Sequence, residues 1–261
     1  MTALLPVFVG LVALLYASVG HAGATGYIAV MTLLGLPAQT VRPTALVLNV
    51  IVASIATVQF CRAGHFRHRL FWPLALASVP CALFGGAVTL PTAAFEAVLG
   101  IVLLVSAAQI ARGAHREGAV EHELAAATVR PRLAGTGFMA AIGGGIGLLS
   151  GFTGVGGGVF LTPALLALHA APVKNIAAVT APFILVNSLA GLAGGLLAGR
   201  AIPSISLSVI AAALLGGAVG AQLGAFRLPV RTLRLLMAAV LACASVKLLA
   251  SLPGLAQLHA G

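Results

Sequence analysis

The residues best suited to chemistry in this chain are small hydroxyls and glycines embedded in long apolar sequence. The stretch from Gly143 to Pro163 reads GGGIGLLSGFTGVGGGVFLTP and carries Ser150 and Thr153 among its glycines. Glycine is about 1 kcal/mol worse than alanine inside a helix. Such a density of glycine, closed by a proline, therefore predicts that a membrane helix is interrupted here.

An interrupted membrane helix predicts an anion site. Its freed backbone N–H and C=O groups cannot face lipid, so they must be buried in protein or line a cavity. Two helix ends meeting at a break offer unpaired N–H groups and the positive end of a helix dipole to an anion. We therefore expect the substrate site of a transporter, formed by Ser150, Thr153, Gly154, Gly156, Gly157 and Gly158.

The composition predicts an all-α polytopic integral membrane protein. Of 261 residues, 61% are hydrophobic and only 7% are charged. The net charge of +10 would suggest nucleic acid in a soluble protein. Here the arginines lie in short loops, where they set topology, so the expected partner is the lipid bilayer and not nucleic acid. Apolar segments run roughly over residues 3–19, 22–36, 41–60, 70–90, 93–111, 133–150, 157–170, 173–198, 204–224 and 228–251.

The acidic residues indicate the charge of the solute. The chain contains no aspartate, and Glu117, Glu121 and Glu123 all lie in one polar stretch. Only Glu96 accompanies an apolar segment, near its end. Because cation transporters usually need buried carboxylates, a small anionic or neutral solute is favoured.

The chain divides into two related halves, residues 1–111 and 133–261, joined by a polar linker at 112–132. SVGHAGATG, from Ser18, occupies the place in the first half that SGFTGVGGG, from Ser150, occupies in the second. Pro37 then matches Pro172, and with small gaps two asparagines also match. Gly-broken segments at corresponding positions are typical of a transporter's binding site. The first half thus adds Ser18, His21, Thr25 and Asn49 to the expected substrate contacts, and the second half adds Asn187.

Several of these residues have a second interpretation. The two asparagines fit a helix-bridging amide as well as a pathway lining. His21 could bind an anion when protonated or relay a proton, or it could be a neutral ring bonded to backbone. Arg42 and Lys174 stand at the starts of matching spans and could attract anions or simply set topology.

Loop charge bears on how the halves are related. If each glycine-broken stretch crosses the membrane once, the halves are parallel repeats. If each folds as a hairpin, the halves are inverted, and Lys and Arg concentrate more strongly on one side, which the positive-inside rule prefers. We therefore expect inverted repeats with about 8–10 membrane segments and a cytoplasmic linker.

Enzyme and metal motifs are absent from the sequence. A rhomboid-type protease needs Gly-x-Ser-Gly, whereas Leu148 and Leu149 precede Ser150. An aspartyl protease would need aspartates, and no His/Cys/Asp cluster has metal-ligand spacing. GVGGG lacks the Lys-Ser/Thr of a phosphate loop. We expect no catalytic residue, metal or cofactor.

The segment SGFTGVGGGVFLTPALL, followed by a Pro-to-Asn segment, resembles the TauE/SafE family of sulfite and organosulfonate exporters. The likeness extends over both halves, although the first break lacks the GGG run and has Met31 where Pro163 would be matched. The resemblance implies a multi-pass carrier in the bacterial inner membrane for sulfur-containing anions such as sulfite or sulfonates. A channel-like anion pore and a carrier for another small organic anion are the alternatives, and a homo-oligomer stays open.

Overall fold

A computed structural model describes residues 4–18, 20–88, 96–109, 135–168 and 170–226, with isolated positions at 91, 94, 111, 112, 242, 245 and 246. These residues are helical with connecting turns and contain no strand. The helices of the first half are α1 (Leu5–Ser18), α2 (Ala24–Leu33), α3 (Ala38–Arg62), α4 (His68–Ala87) and α5 (Glu96–Gln109). Those of the second half are α6 (Thr136–Thr153), α7 (Gly158–Ala167), α8 (Val173–Leu197) and α9 (Leu207–Phe226).

Four helices in the described ranges are long and apolar enough to cross a membrane. They are Gln39–Arg62, His68–Ala87, Thr136–Thr153 and Asn175–Leu197. The helices α2 and α7 have 10 residues each, which corresponds to about 15 Å, half of a bilayer core. The apolar segments at 22–36 and 157–170 are therefore too short as helices to cross on their own. The all-helical polytopic fold class is confirmed.

The helices α3 and α8 occupy matching places in the two halves. Each has 25 residues and is preceded by a proline, Pro37 or Pro172, as its N-cap. They run antiparallel: a methyl group on Gly191, near the end of α8, would lie 3.4 Å from Leu46, near the start of α3. At the other end, a methyl group on Gly20 would touch both Phe60 of α3 and Ala177 of α8.

The two halves exchange helices. The first helix of one half packs along the fourth helix of the other, because α1 lies against α9 and α4 lies against α6. The antiparallel pair α3 and α8 joins the halves at the centre. This exchange gives the two halves one continuous packing arrangement. The inverted orientation of the complete repeats stays a prediction.

The glycines of the 143–163 stretch do not all interrupt a helix, and that expectation was wrong for most of them. Helix α6 continues through Gly143, Gly147 and Gly151, which repeat every fourth residue on one face. Methyl groups at these positions would collide with successive backbone carbonyls of α4, at Leu74, Ser78 and Ala82. Glycine therefore serves here to bring two helices into close contact, as small residues do in membrane bundles. Only residues 154–157 form a break.

Some predictions fall outside the described residues. The linker at 112–132 lies there almost entirely, as does most of the tenth apolar segment at 228–251. Of that segment, Ser245 is described, and its hydroxyl donates a hydrogen bond to the Gly100 carbonyl of α5 at 2.8 Å. The Lys174 side chain lies outside the described part of the structure, so its anion-attracting role stays a prediction.

Candidate functional site

The break between α6 and α7 consists of Gly154, Val155, Gly156 and Gly157, all buried. Gly154, Gly156 and Gly157 have φ values of 78°, 78° and 81°, a left-handed conformation that side chains disfavour. Gly157 caps α7 without a side-chain hydrogen bond to the helix. The α6 end is closed differently, because the Gly154 N–H donates to the Ser150 carbonyl at 2.8 Å.

Helix α7 begins with free backbone donors. Its first backbone bonds run from the N–H groups of Phe160 and Leu161 to the Gly157 carbonyl. The N–H groups of Gly156, Gly157, Gly158 and Val159 find no acceptor among the described residues. Unpaired donors at a helix N-terminus, reinforced by the helix dipole, suit a negatively charged group.

Two buried polar atoms beside this break also lack partners within the described ranges: the Ser150 hydroxyl and the Asn49 amide oxygen Oδ1. Both residues are fully buried. A methyl group on Gly157 would lie 3.6 Å from Ser150 Cβ, and one on Gly156 would collide with Asn49 Nδ2. An unpaired buried polar group costs about 1–3 kcal/mol, so these two atoms mark a place where a polar ligand would be stabilising.

The donors available to an anion at this break are the backbone amides and the Ser150 hydroxyl. Nδ2 of Asn49 donates long bonds, 3.4 Å to the Val155 carbonyl and 3.3 Å to the Ser188 hydroxyl. Turning the amide over would point Nδ2 to the free side, but it would set Oδ1 against the Val155 carbonyl, which is also an acceptor. The hydroxyl of Ser150 can rotate to donate.

Asn187 lies next to this cluster but makes its own bonds. Its Oδ1 accepts from the Ser78 hydroxyl at 2.7 Å, and its Nδ2 donates to the Phe183 carbonyl at 2.9 Å. Asn187 therefore bridges α8 to α4 in this structure. It also lies one helical turn further from Pro172 than Asn49 lies from Pro37, so the two asparagines do not occupy matching positions along their uninterrupted helices.

Thr153 belongs to the last turn of α6, and its hydroxyl donates to the Leu149 carbonyl at 2.7 Å. The Val155 N–H donates to the same hydroxyl at 3.4 Å. Thr153 thus fixes the start of the break and leaves Ser150 as the hydroxyl without a partner there.

Arg42 lies within the first turns of α3, with only 8% of its side chain exposed. It packs on the break, since a methyl group on Gly154 would lie 2.9 Å from its Cγ. Its guanidinium donates to the carbonyls of Gly85 at 2.8 Å, of Gly86 at 2.9 Å, and of Gly151. The buried charge is therefore compensated by carbonyls at the ends of α4 and α6, the negative ends of their dipoles.

Arg200, in the connection between α8 and α9, reaches the same carbonyls. Its guanidinium donates to Gly86 and, at 3.3 Å, to Val88, to which Arg42 donates at 3.4 Å. Burial lowers the pKa of Arg200, but a guanidinium stays protonated in proteins. The structure thus gathers two positive charges beside the second break, with no carboxylate bonded to either within the described residues.

The first break, between α1 and α2, is a separate place. Ser18 donates to the Leu15 carbonyl at 2.7 Å, and Thr25 donates to the Tyr16 hydroxyl at 2.9 Å. His21 is half-buried and its backbone N–H donates to the Tyr16 carbonyl at 2.9 Å. These three predicted contacts lie together, but apart from Ser150 and Asn49.

The distance between the breaks follows from α3. The first break touches α3 at Phe60 and the second touches it at Asn49, which places them roughly 16 Å apart along the helix axis. The expected single site formed by both breaks is therefore two places in this structure. No group of three or more His, Cys, Asp or Glu residues able to hold a metal occurs in the described part of the chain.

The sequence interpretation missed Arg200 and Ser188. Arg200 is the one basic residue between the apolar segments at 173–198 and 204–224, and the sequence predicts only a topology-setting role for it. Ser188 follows Asn187 directly, and a second polar residue within an apolar span indicates a position that faces the interior of the helix bundle.

Comparisons with known proteins identify the family of this chain. The family model described as "Sulfite exporter TauE/SafE" matches residues 5–248. The chain is 38% identical over 238 residues to "Probable membrane transporter protein y4hK" of Sinorhizobium fredii (strain NBRC 101917 / NGR234), covering 91% of this chain and 94% of that protein. No solved structure matches. The chain belongs to the TauE/SafE family of membrane transporters.

Proposed function

We propose that this transporter is a secondary carrier that moves small sulfur-containing oxyanions, such as sulfite or sulfonates, across the bacterial inner membrane. The observation that carries the proposal is the second break, where free backbone N–H groups and the Ser150 hydroxyl converge. These are neutral donors suited to an oxyanion. The family description names sulfite, which supplies the sulfur chemistry.

The charges of the molecule support an anion over a cation. Arg42 and Arg200 lie beside the break, and the sequence contains no aspartate. A cation in a membrane site would need carboxylates near it. A small anion with several oxygen atoms can instead accept hydrogen bonds from amides and a hydroxyl at the same time.

The antiparallel α3 and α8 support inverted halves, as does the exchange of α1 and α4 between them. In such a carrier the two halves alternate around a central site. The same arrangement places Arg42 and Arg200 at one end of the α3–α8 pair. At the other end, the Asn175 amide donates to the His65 carbonyl at 2.7 Å.

Sulfite flux in proteoliposomes tests the proposal. A carrier gives saturable uptake that is accelerated by sulfite on the opposite side, whereas an anion pore gives flux that rises without saturation. Substrates in the panel are sulfite, methanesulfonate, sulfate and acetate. Absence of sulfite flux above that of empty vesicles would overturn the substrate assignment.

Ser150→Ala sharpens this test. The variant loses one hydrogen bond to the anion, which we expect to raise the KM for sulfite about tenfold. It should not destabilise the protein, since the hydroxyl has no partner to lose among the described residues. Ser106→Ala is the matched control, because Ser106 is equally buried but donates to the Val102 carbonyl in α5. An unchanged KM for Ser150→Ala would contradict this role.

A further inference from the structure

The first break resembles the second in the backbone of its helix start. Gly23 caps α2 with a φ of 99°, as Gly157 caps α7 with a φ of 81°. Each glycine precedes a helix of 10 residues and, having no side chain, leaves the first N–H groups of that helix without a side-chain cap. The first backbone bond into α2 runs from the Tyr27 N–H to the Gly23 carbonyl. The N–H groups of Ala24, Thr25 and Gly26 find no acceptor among the described residues.

A helix start of this kind becomes a binding site only if other groups converge on it, and the hydroxyl of Tyr27 does. Tyr27 is fully buried in the first turn of α2. Its hydroxyl has no hydrogen-bond partner in the described ranges. The side chain folds back toward the helix start, because a methyl group on Gly23 would lie 3.1 Å from the hydroxyl. The donor thus lies beside the free amides.

The neighbouring Tyr16 is a buried tyrosine at the same break whose hydroxyl does have a hydrogen-bond partner. Tyr16 is 2% exposed, and its hydroxyl accepts a hydrogen bond from Thr25 at 2.9 Å. The two tyrosines share burial and surroundings, yet only the Tyr27 hydroxyl is left without a partner. Since leaving a buried hydroxyl unpaired is unfavourable, a ligand at Tyr27 would stabilise the folded protein.

We propose that the first break is a second anion site, in which the Tyr27 hydroxyl and the free amides at the start of α2 bind one oxyanion. The inference rests on the proposed function and takes the same class of ligand, a small sulfur oxyanion. The two sites lie about 16 Å apart along α3, since Gly20 contacts Phe60 whereas Gly156 contacts Asn49. The carrier therefore holds one anion near one end of the α3–α8 pair and another near its middle.

Sulfite binding to the purified full-length protein tests the second site. Isothermal titration should resolve two classes of site in the wild type. Tyr27→Phe removes only the hydroxyl and should abolish or weaken one class about tenfold. Ser150→Ala should weaken the other class. Without sulfite, the Tm of Tyr27→Phe should be unchanged or higher, because no hydrogen bond in the described structure is lost.

Two further variants separate a ligand site from a structural role. Tyr16→Phe is the matched control: it removes a hydroxyl that Thr25 uses, so it should lower the Tm slightly and leave both classes of site. Gly23→Ala should abolish the same class as Tyr27→Phe, because its methyl group would occupy the space in front of the hydroxyl.

Two results would overturn the second site: an isotherm for Tyr27→Phe that matches the wild type, or a wild type with one class of site that Ser150→Ala weakens. The latter result would leave the proposed function intact. If the protein neither binds nor transports sulfite, the result would instead contradict the proposed function.

Discussion

The two breaks share a backbone and differ in chemistry. At the second break Gly154 packs on Arg42, and at the first break Gly20 packs on Ala177, whose Cβ would lie 2.8 Å from an added methyl group. Arg42 follows Pro37 by the same number of residues as Ala177 follows Pro172. Equivalent positions therefore hold a buried cation in one half and a methyl group in the other.

Similar glycine-capped helix starts therefore lie among different neighbouring groups in the two halves. The second break combines free amides with a permanent charge nearby, which favours an anion at any physiological pH. The first break instead offers the hydroxyl of Tyr27, with His21 close by in sequence. Changes at the second break should accordingly have the larger effects.

The largest effect is expected from Gly156→Ala. Its methyl group would collide with Asn49 and lie 2.9 Å from Ile184. A methyl group in the proposed site should deprive the anion of one or two hydrogen bonds, so sulfite flux should fall about 10- to 100-fold. The measurement is initial flux in proteoliposomes, normalised to folded protein.

Gly199→Ala is the matched control for Gly156→Ala. Its φ of 75° is close to the 78° of Gly156, but nothing lies within 4 Å of the added methyl group. It therefore carries the backbone strain without filling the site. Equal losses of flux in the two variants would show that strain, and not occupation of the site, causes the defect.

An intermediate effect is expected from Arg42→Gln. The variant deprives the carbonyls of Gly85, Gly86 and Gly151 of a charged donor in a buried place. Hydrogen bonds to charged groups contribute about 1.5–3 kcal/mol, so thermal unfolding in detergent should shift clearly to lower temperature. Arg200→Gln should shift it less, since Arg200 is half-buried and shares its acceptors with Arg42. A larger shift in unfolding temperature for Arg200→Gln than for Arg42→Gln would contradict the burial and hydrogen bonding assigned to the two arginines.

The smallest effect is expected from His21→Gln. Histidine is the side chain that most readily changes charge near physiological pH. A protonated His21 would favour an anion at the first break, and this contribution is lost as the pH rises. The variant should flatten the pH dependence of sulfite flux between about pH 5.5 and 7.5 without stopping transport. His65→Gln, in the connection between α3 and α4, should keep the wild-type profile. Superimposable profiles for His21→Gln and wild type would leave His21 without a role in coupling.

The sequence predicted much of the fold because hydrophobicity and proline determine where membrane helices can lie. Each helix of the described ranges lies within three residues of the bounds of one of the ten apolar segments, and Pro37 and Pro172 do begin the matching helices α3 and α8. The broken stretch was found from its glycines, and Gly154 to Gly157 do form a break. These features are local, so a single sequence carries them.

The features that the sequence did not predict depend on contacts between distant segments. Glycine density alone does not separate a break from close helix packing. The regular spacing of Gly143, Gly147 and Gly151 was the signal for packing against α4. Arg42 could not be assigned, because its partners are backbone carbonyls at the ends of α4 and α6, which have no side-chain signature.

The exchange of helices between halves has a consequence for how the protein is made in the cell. During synthesis α4 leaves the ribosome well before α6. The face of α4 around Ser78 and Ala82 therefore lacks its packing partners, Gly147 and Gly151, until the second half has been translated. In the same way α1 lacks its packing partner until α9 has been translated. The first half therefore completes the packing of α1 and α4 only when the second half is present.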